Sequence, residues 1–248
     1  MVTELVGHPV SQSSRSGDSL LISSECDIDA NTIFGKGKIE LMQVIPKAVN
    51  EDLFWVVDNV GNGRKPIIFT SPRPGAGASS IAYQSAISVV ARNTRVLLID
   101  CNFRSHGCRE LSHLRSGHGL AEAVSGDQPL EQCHQSLISE RVRYMPPGDI
   151  GGGIHGFFDS DDFPAFLDTI SSDFTHILLD APAVLNYAET TLMARRGFPV
   201  IFVTDARKTR SQTVREARER ILDAGGEVAG IILNRRPFYL PNFVYQML

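Results

Sequence analysis

Five short apolar runs, each closed by a polar residue, set the tightest limit on how this chain can fold. Ile67–Thr70 ends at Thr70 itself. Arg95–Ile99 runs into Asp100, Thr175–Leu179 into Asp180, Pro199–Val203 stops just before Asp205, and Val228–Leu233 runs into Asn234. Runs this short, apolar throughout rather than alternating, suit strands covered on both faces. Between them lie helical patterns: Ser79–Ala91 with small residues on one side, Gly119–Val124, Asp161–Ile170, and the charged stretch Thr209–Ala224. Arg141–Met145 reads as a further strand, closed by Pro146-Pro147-Gly148, and Gly151-Gly152-Gly153 as a loop. Strands alternating with helices predict an α/β fold with a parallel central sheet and helices on both faces. In such sheets ligands gather at the carboxyl ends of the strands. Here those ends carry Thr70, Asp100, Asp180, Asp205 and Asn234.

The remainder of the chain bounds the organisation. Residues 1–36 are rich in Ser, Gly and Asp with little periodicity, and predict a mobile N-terminal tail. Residues 37–248 form the expected domain, opening with a helix around Glu51–Val60 and a turn at Gly61–Pro66. The 248 residues suit one α/β domain with a tail. A net charge of −4 argues against a nucleic-acid partner, which a basic footprint would announce. The N-terminus lacks the pattern of a secretory signal, and no stretch reaches the roughly 18 apolar residues of a span, so no direct membrane insertion is expected. Cys26, Cys101, Cys108 and Cys133 form no CxxC pair and read as free thiols of a reducing cytoplasm.

The loop after the first of the five strands carries the chemistry. It reads Ser71-Pro-Arg-Pro-Gly-Ala-Gly-Ala-Ser-Ser80 and leads into a helix. A phosphate cradle needs that context: glycines let backbone N–H groups turn inward, and the helix N-terminus adds a positive dipole end. Gly75, Gly77, Ser79 and Ser80 are the candidate binding residues. The strict pattern places Lys between the last glycine and the hydroxyl. Here that position is Ala78, and the first glycine of the pattern is Pro72. Arg73 is a loop cation, but it precedes the glycines and so lies on the wrong side of them to copy the lysine. Asp100 and Asp180, closing two strands, are the carboxylates that can reach Mg²⁺ directly or through water.

Taken in order, the blocks IIFTSPRPGAGASSIA, RVLLIDCNFRSHG and HILLDAPAVLNYAE, with Asn234-Arg235 after the last strand, resemble the bacterial tyrosine-kinase-like P-loop ATPases of exopolysaccharide biosynthesis. These are the CpsD/CapB type within the MinD/ParA class. The resemblance covers about Glu51 to Leu248. It implies a P-loop NTPase-like fold of the deviant, MinD-like kind. It also implies ATP or ADP with Mg²⁺ as cofactor, with Ser79, Asp100 and Asp180 near the metal and Asn234 toward the adenine. Asp100 and Asp180 would be the catalytic carboxylates of an active member. The implied partner is a transmembrane polysaccharide co-polymerase or another export protein, which would recruit a cytoplasmic protein to the inner membrane; homo-oligomers are also implied.

Departures from the pattern redirect that expectation. Ala78 replaces the phosphate-binding lysine and Asn102 the second acid of the second block, although Arg104 keeps its place. The family's Glu-x-x-Arg-x-x-Arg ring motif reads Glu51, Phe54 and Val57, so a different interface would have to use Phe54, Trp55 and Val57. Only Tyr239 and Tyr245 remain in the C-terminal segment, where kinases of the family carry a tyrosine cluster. The expectation is therefore a degenerate, pseudokinase-like regulator or scaffold of exopolysaccharide synthesis and export, with nucleotide and Mg²⁺ disfavoured by the missing lysine. The alternative is an active ATP-dependent tyrosine autokinase that phosphorylates Tyr239 or Tyr245.

Overall fold

A computed structural model describes residues 40–43, 49–61, 66–89, 94–104, 108 and 117–235. The expected tail, residues 1–36, and the two C-terminal tyrosines lie outside the described residues. Among the described residues, eight strands form one sheet: β1 (Glu40–Gln43), β2 (Ile67–Thr70), β3 (Val96–Asp100), β4 (Gln135–Ser136), β5 (Val142–Met145), β6 (His176–Asp180), β7 (Val200–Asp205) and β8 (Val228–Asn234). Their spatial order is β1-β8-β7-β2-β6-β3-β5-β4. Every pairing is parallel except that of the short edge strand β4 with β5. The fold is the expected one, a largely parallel sheet with helices.

Alternation along each strand divides the core in two. Ile67, Phe69, Leu98, Leu178, Val203 and Ile232 point to one face, where they meet α1 (Val49–Val60) and α2 (Ala78–Ser88). Ile68, Leu97, Ile99, Leu179, Phe202 and Leu233 point to the other. There they meet α5 (Ile154–Asp159), α6 (Asp162–Ile170), α7 (Glu189–Ala194) and α8 (Ser211–Asp223). Two further short helices, α3 (Leu120–Ser125) and α4 (Leu130–Cys133), precede β4. Helix α2 buries Ala78, Ile81, Ala82, Ser85 and Ala86, so its sheet-facing side is built mostly of small residues. Small side chains let the helix lie close on β2 and β6, which sets the loop before it directly over the strand ends. In α8 the apolar positions Val214, Ala217 and Ile221 are buried, while Glu216, Glu219 and Arg220 remain exposed, as its charge pattern predicts.

Several details differ from the sequence reading. β1, β4, α4, α5 and α7 are all six residues or shorter, too short for a period to emerge from the pattern. The helix expected to reach Ala91 ends at Ser88, and residues 90–93 are not described. The acids Asp100, Asp180 and Asp205 are themselves the last residues of their strands. Val57, considered as an interface residue, is fully buried in the core, and Phe54 packs against that core; Trp55 alone of the three is 40% exposed. Cys101, Cys108 and Cys133 are buried free thiols. Among the described residues, no helix is long and apolar enough to cross a membrane.

On the second face four rings lock together: Phe158 meets Phe157 and Phe163 edge to face with centroids 5.1 Å away, and Phe103 at 5.9 Å. Phe158 is fully buried. Phe158→Ala is expected to cost about 3–5 kcal/mol in denaturant unfolding, whereas Glu219→Ala on the exposed side of α8 should stay within about 0.5 kcal/mol.

Candidate functional site

Parallel register brings the strand ends into one row. Asp100 lies opposite Asp180, and Asp205 opposite Asn234. Thr70 ends β2, and the loop that follows folds over this row. Gly75 and Gly77 take φ values of 89° and 93°, the left-handed region that favours glycine. A Cβ at Gly77 would stand 2.4 Å from Asn234 Nδ2, so any other residue there would have to displace the Asn234 amide as well as adopt a disfavoured backbone. Gly77 caps α2, and no side chain caps the N–H groups of its first turn. Those donors are left for water or an anion.

The last strand holds the loop from behind. Asn234 Nδ2 donates to the Ala76 carbonyl at 2.8 Å, and Asn234 Oδ1 accepts the Arg235 N–H. The Asn234 amide, which the resemblance turns toward the adenine, is thus committed to the loop and the backbone. Arg235 takes a φ of 60°, and its Nη1 donates to the Gly75 carbonyl at 2.7 Å and to Asp205 Oδ2 at 3.0 Å. Asp205 Oδ1 accepts the Arg207 N–H. Burial pushes the Asp205 carboxyl up, but these hydrogen bonds and the two arginines prevail and hold it below its usual range. On the inner side, Thr70 Oγ1 donates to the Pro182 carbonyl at 2.7 Å, and the N–H groups of Val184 and Leu185 reach the carbonyls of Ser71 and Pro72.

Beneath the loop the two candidate carboxylates are both 1% exposed. Tyr144 O–H donates to Asp100 Oδ2 at 3.1 Å, and the Asn102 N–H to Asp100 Oδ1 at 2.9 Å. The Cys108 thiol donates to Asp180 Oδ2 at 3.0 Å. Burial, together with the charges of Asp180 and Asp100, raises the pKa of that thiol, which keeps it a donor. Cys101 and Tyr144 are raised in the same way. Burial pushes Asp180 up to about 6, although hydrogen bonds from Cys108 and Ser79 pull it back. Asp180 Oδ1 accepts no hydrogen bond of normal geometry.

An open cleft of about 580 Å³ lies above, a size usual for small-molecule sites. Gly75, Gly77, Ala78, Ser79 and Ser80 form its floor, so four of the predicted binding residues meet there. Asp100, Asp180 and Asn234 support that floor from below and behind. The far wall is Asn102, Arg104 and Tyr187. The Arg104 guanidinium lies 4.7 Å from the centre of the Tyr187 ring, and its Nε and Nη2 both donate to Glu189 Oε1, at 3.0 and 2.8 Å. Glu189 is 1% exposed. Sequence reasoning missed Glu189, Tyr144 and the Cys108 contact, and it marked Arg235 only as part of the Asn234-Arg235 pair, without a role. Arg104 and Arg235 sat in recognised blocks; the other partners come from distant parts of the chain.

A magnesium nucleotide finds only part of what it needs here. The uncapped first turn of α2 and the two left-handed glycines fit a phosphate. Ser79 with Asp180, whose Oδ1 lacks a hydrogen bond, could hold a hard cation that prefers oxygen. The fit fails at Ala78, which places a methyl where such loops place an ammonium.

Comparison with known proteins agrees with the geometry. No family model matches the chain. Its relatives are bacterial tyrosine-protein kinases of the CpsD, CapB, EpsB and Wzc type. It is 25% identical over 177 residues to the tyrosine-protein kinase CpsD of Streptococcus agalactiae, covering 71% of this chain and 76% of that protein. It is 25% identical over 168 residues to the tyrosine-protein kinase Ptk of Acinetobacter johnsonii, covering 68% of this chain and 23% of that protein. The chain thus spans about a quarter of the length of the longer relatives, EpsB and Ptk. Among solved structures, the VpsO kinase domain superposes with a TM-score of 0.68 at 26% identity, over 74% of this chain and 90% of that one. The kinase domain of the Escherichia coli tyrosine kinase ETK gives 0.68 at 18% identity, over 79% and 77%. The Pyrococcus furiosus cell division ATPase MinD gives 0.57 at 19% identity, over 70% and 72%. The fold is that of P-loop NTPases of the MinD-like kind.

Three substitutions test the site. Gly77→Ala meets both a disfavoured φ and Asn234 Nδ2, whereas Gly75→Ala has open space at its Cβ. Gly77→Ala should therefore lower stability by about 1–3 kcal/mol more than Gly75→Ala in denaturant unfolding. For Asp180 the folded carboxyl titrates above its unfolded value of 3.8, so the folded state binds the extra proton. Its contribution is fully present below that value and is lost as pH rises toward about 6. Asp180→Asn should flatten the fall in stability across this window and raise stability at pH 7, as read from unfolding midpoints against pH.

Proposed function

We propose that this chain is a degenerate relative of the bacterial tyrosine kinases that regulates or scaffolds exopolysaccharide synthesis and export rather than transferring phosphate. The observation that carries the reading is Ala78. A loop cation neutralises charge developing on the transferred phosphoryl group, and losing one such stabilising donor typically costs about 10²–10³ in rate. Ala78 supplies only a methyl group, and it lines the cleft floor where the charge would act. Other features point the same way. Asn102 stands where an acid is expected, and one oxygen of Asp180 already accepts the Cys108 thiol. Ser79, Ser80, Gly75 and Gly77 would cradle a bound ATP or ADP, and Ser79, Asp180 and Asp100 would stand nearest to Mg²⁺.

In this reading the protein works through contacts. Its partner is a transmembrane polysaccharide co-polymerase or another export protein, which brings it to the inner membrane from the cytoplasmic side. Association between copies, if it uses α1, centres on Trp55, because Val57 is buried and Phe54 leans on the core.

Incubation of the full chain with Mg-ATP, followed by mass spectrometry, tests the reading. No phosphotyrosine is expected at Tyr239, Tyr245 or elsewhere. Ala78→Lys alone should restore none, because Asn102 and the Cys108 contact remain. Strong tyrosine phosphorylation in the wild type would favour an active autokinase, and strong phosphorylation in the variant would show that a single residue holds an otherwise intact enzyme silent.

A further inference from the structure

We infer that Arg104 and Arg235 form a two-sided guanidinium clamp that holds the diphosphate of a nucleotide in this cleft, taking over the charge that Ala78 does not supply. The inference rests on reading the cleft as a nucleotide site and adds the residues that recognise the ligand. Both arginines line the cleft, Arg104 in the wall beyond the loop and Arg235 beside Gly75. Each is anchored by a carboxylate that is itself buried: Glu189 at 1% exposure and Asp205 at 3%.

The hydrogen-bond inventory shows what each guanidinium can still give. Arg104 spends Nε and Nη2 on a single oxygen of Glu189. Its Nη1 is not used in that contact. Arg235 spends Nη1 on the Gly75 carbonyl and on Asp205. Its Nη2 is not used in those contacts. The two side chains are 37% and 42% exposed, half open to the solvent that fills the cleft. A guanidinium carries five donors in a planar fork that suits phosphate oxygens. Held in place by a buried acid, it meets an anion with little further loss of freedom. Arg104 is fixed further by the Tyr187 ring beneath it.

The arrangement also separates binding from catalysis. A loop lysine stands directly behind the phosphates, where charge develops during transfer. Arg104 and Arg235 reach the cleft from its walls and are tethered there by Glu189 and Asp205. They supply attraction to a ground-state anion, which strengthens binding without accelerating transfer.

Calorimetric titration of the full chain with ADP and with adenosine, without and with Mg²⁺, tests the clamp. The wild type should bind ADP at least about tenfold more tightly than adenosine. Arg235→Met alone would strand the buried Asp205, so Arg235→Met/Asp205→Asn is used, and it should weaken ADP by about tenfold and leave adenosine within about twofold. Arg104→Met alone would strand a buried Glu189, so the pair is removed together as Arg104→Met/Glu189→Leu, with the same expected pattern. Thermal unfolding of each variant confirms that the fold is kept. The inference is overturned if the wild type does not prefer ADP to adenosine, or if both folded variants bind ADP within about twofold of the wild type. Loss of adenosine and ADP together would also overturn it, since that marks a collapsed loop rather than a lost phosphate contact. These outcomes are independent of tyrosine phosphorylation: the clamp can fail while the protein remains inactive, and a phosphorylating protein can still use the clamp.

Discussion

The side-by-side parallel pairing of β2 with β6 and β7 is the constraint on which the site depends. Parallel strands point their carboxyl ends the same way, so five chain segments far apart in sequence deliver polar residues to one edge. β8 pairs with β7 in the same sense and delivers Asn234 and Arg235 behind the loop. The backbone of the loop cannot hold its left-handed glycines alone. It is held because carbonyls at Gly75 and Ala76 have donors waiting in the last strand and the residue beyond it. Shifting β8 by one residue would remove both donors and turn its apolar set away from the core.

The same edge concentrates charge that the interior must tolerate. Asp100, Asp180, Asp205 and Glu189 are all nearly inaccessible to water. Each is offset differently: Asp205 and Glu189 by arginines, Asp100 by a tyrosine and a backbone N–H, Asp180 by a thiol and the Ser79 hydroxyl. The last arrangement leans on a thiol, which is a poor donor. Burial accordingly pushes Asp180 up to about 6. A buried carboxylate so poorly compensated costs stability, and natural sequences keep such costs where function needs them.

Much of this was legible in the sequence, for physical reasons that also mark where legibility stops. The central strands were readable because burial on both faces leaves a continuous apolar run, and their final polar residues marked the ligand edge. The loop was readable because left-handed turns need glycine. β1 and β4 could not be seen: one has four residues and the other two, and edge strands carry no sustained pattern. The contacts that complete the site were hidden for another reason. Glu189 meets Arg104 across 85 residues, and Arg235 meets Gly75 across 160. A single sequence offers residue types but not these distances, so Glu189 and the pairing of Asp205 with Arg235 appeared only once the strands were placed.

The loss of a lysine from a phosphate loop is usually read as loss of the ligand, and here the geometry separates the two. Phosphate is held by several sources at once: inward N–H groups, the end of a helix dipole, and side-chain cations. The first two are backbone properties, and replacing Lys by Ala leaves them intact as long as the glycines and their supports remain. Gly77 cannot change without colliding with Asn234, and Asn234 cannot change without releasing Ala76. The cradle is thus locked by packing that has nothing to do with the lysine. Chemistry at the phosphoryl group depends instead on charge placed at one point, and at that point the chain presents a methyl group. The network of Gly75, Ala76, Asn234 and Arg235 thus holds the shape of the loop independently of the residue at position 78.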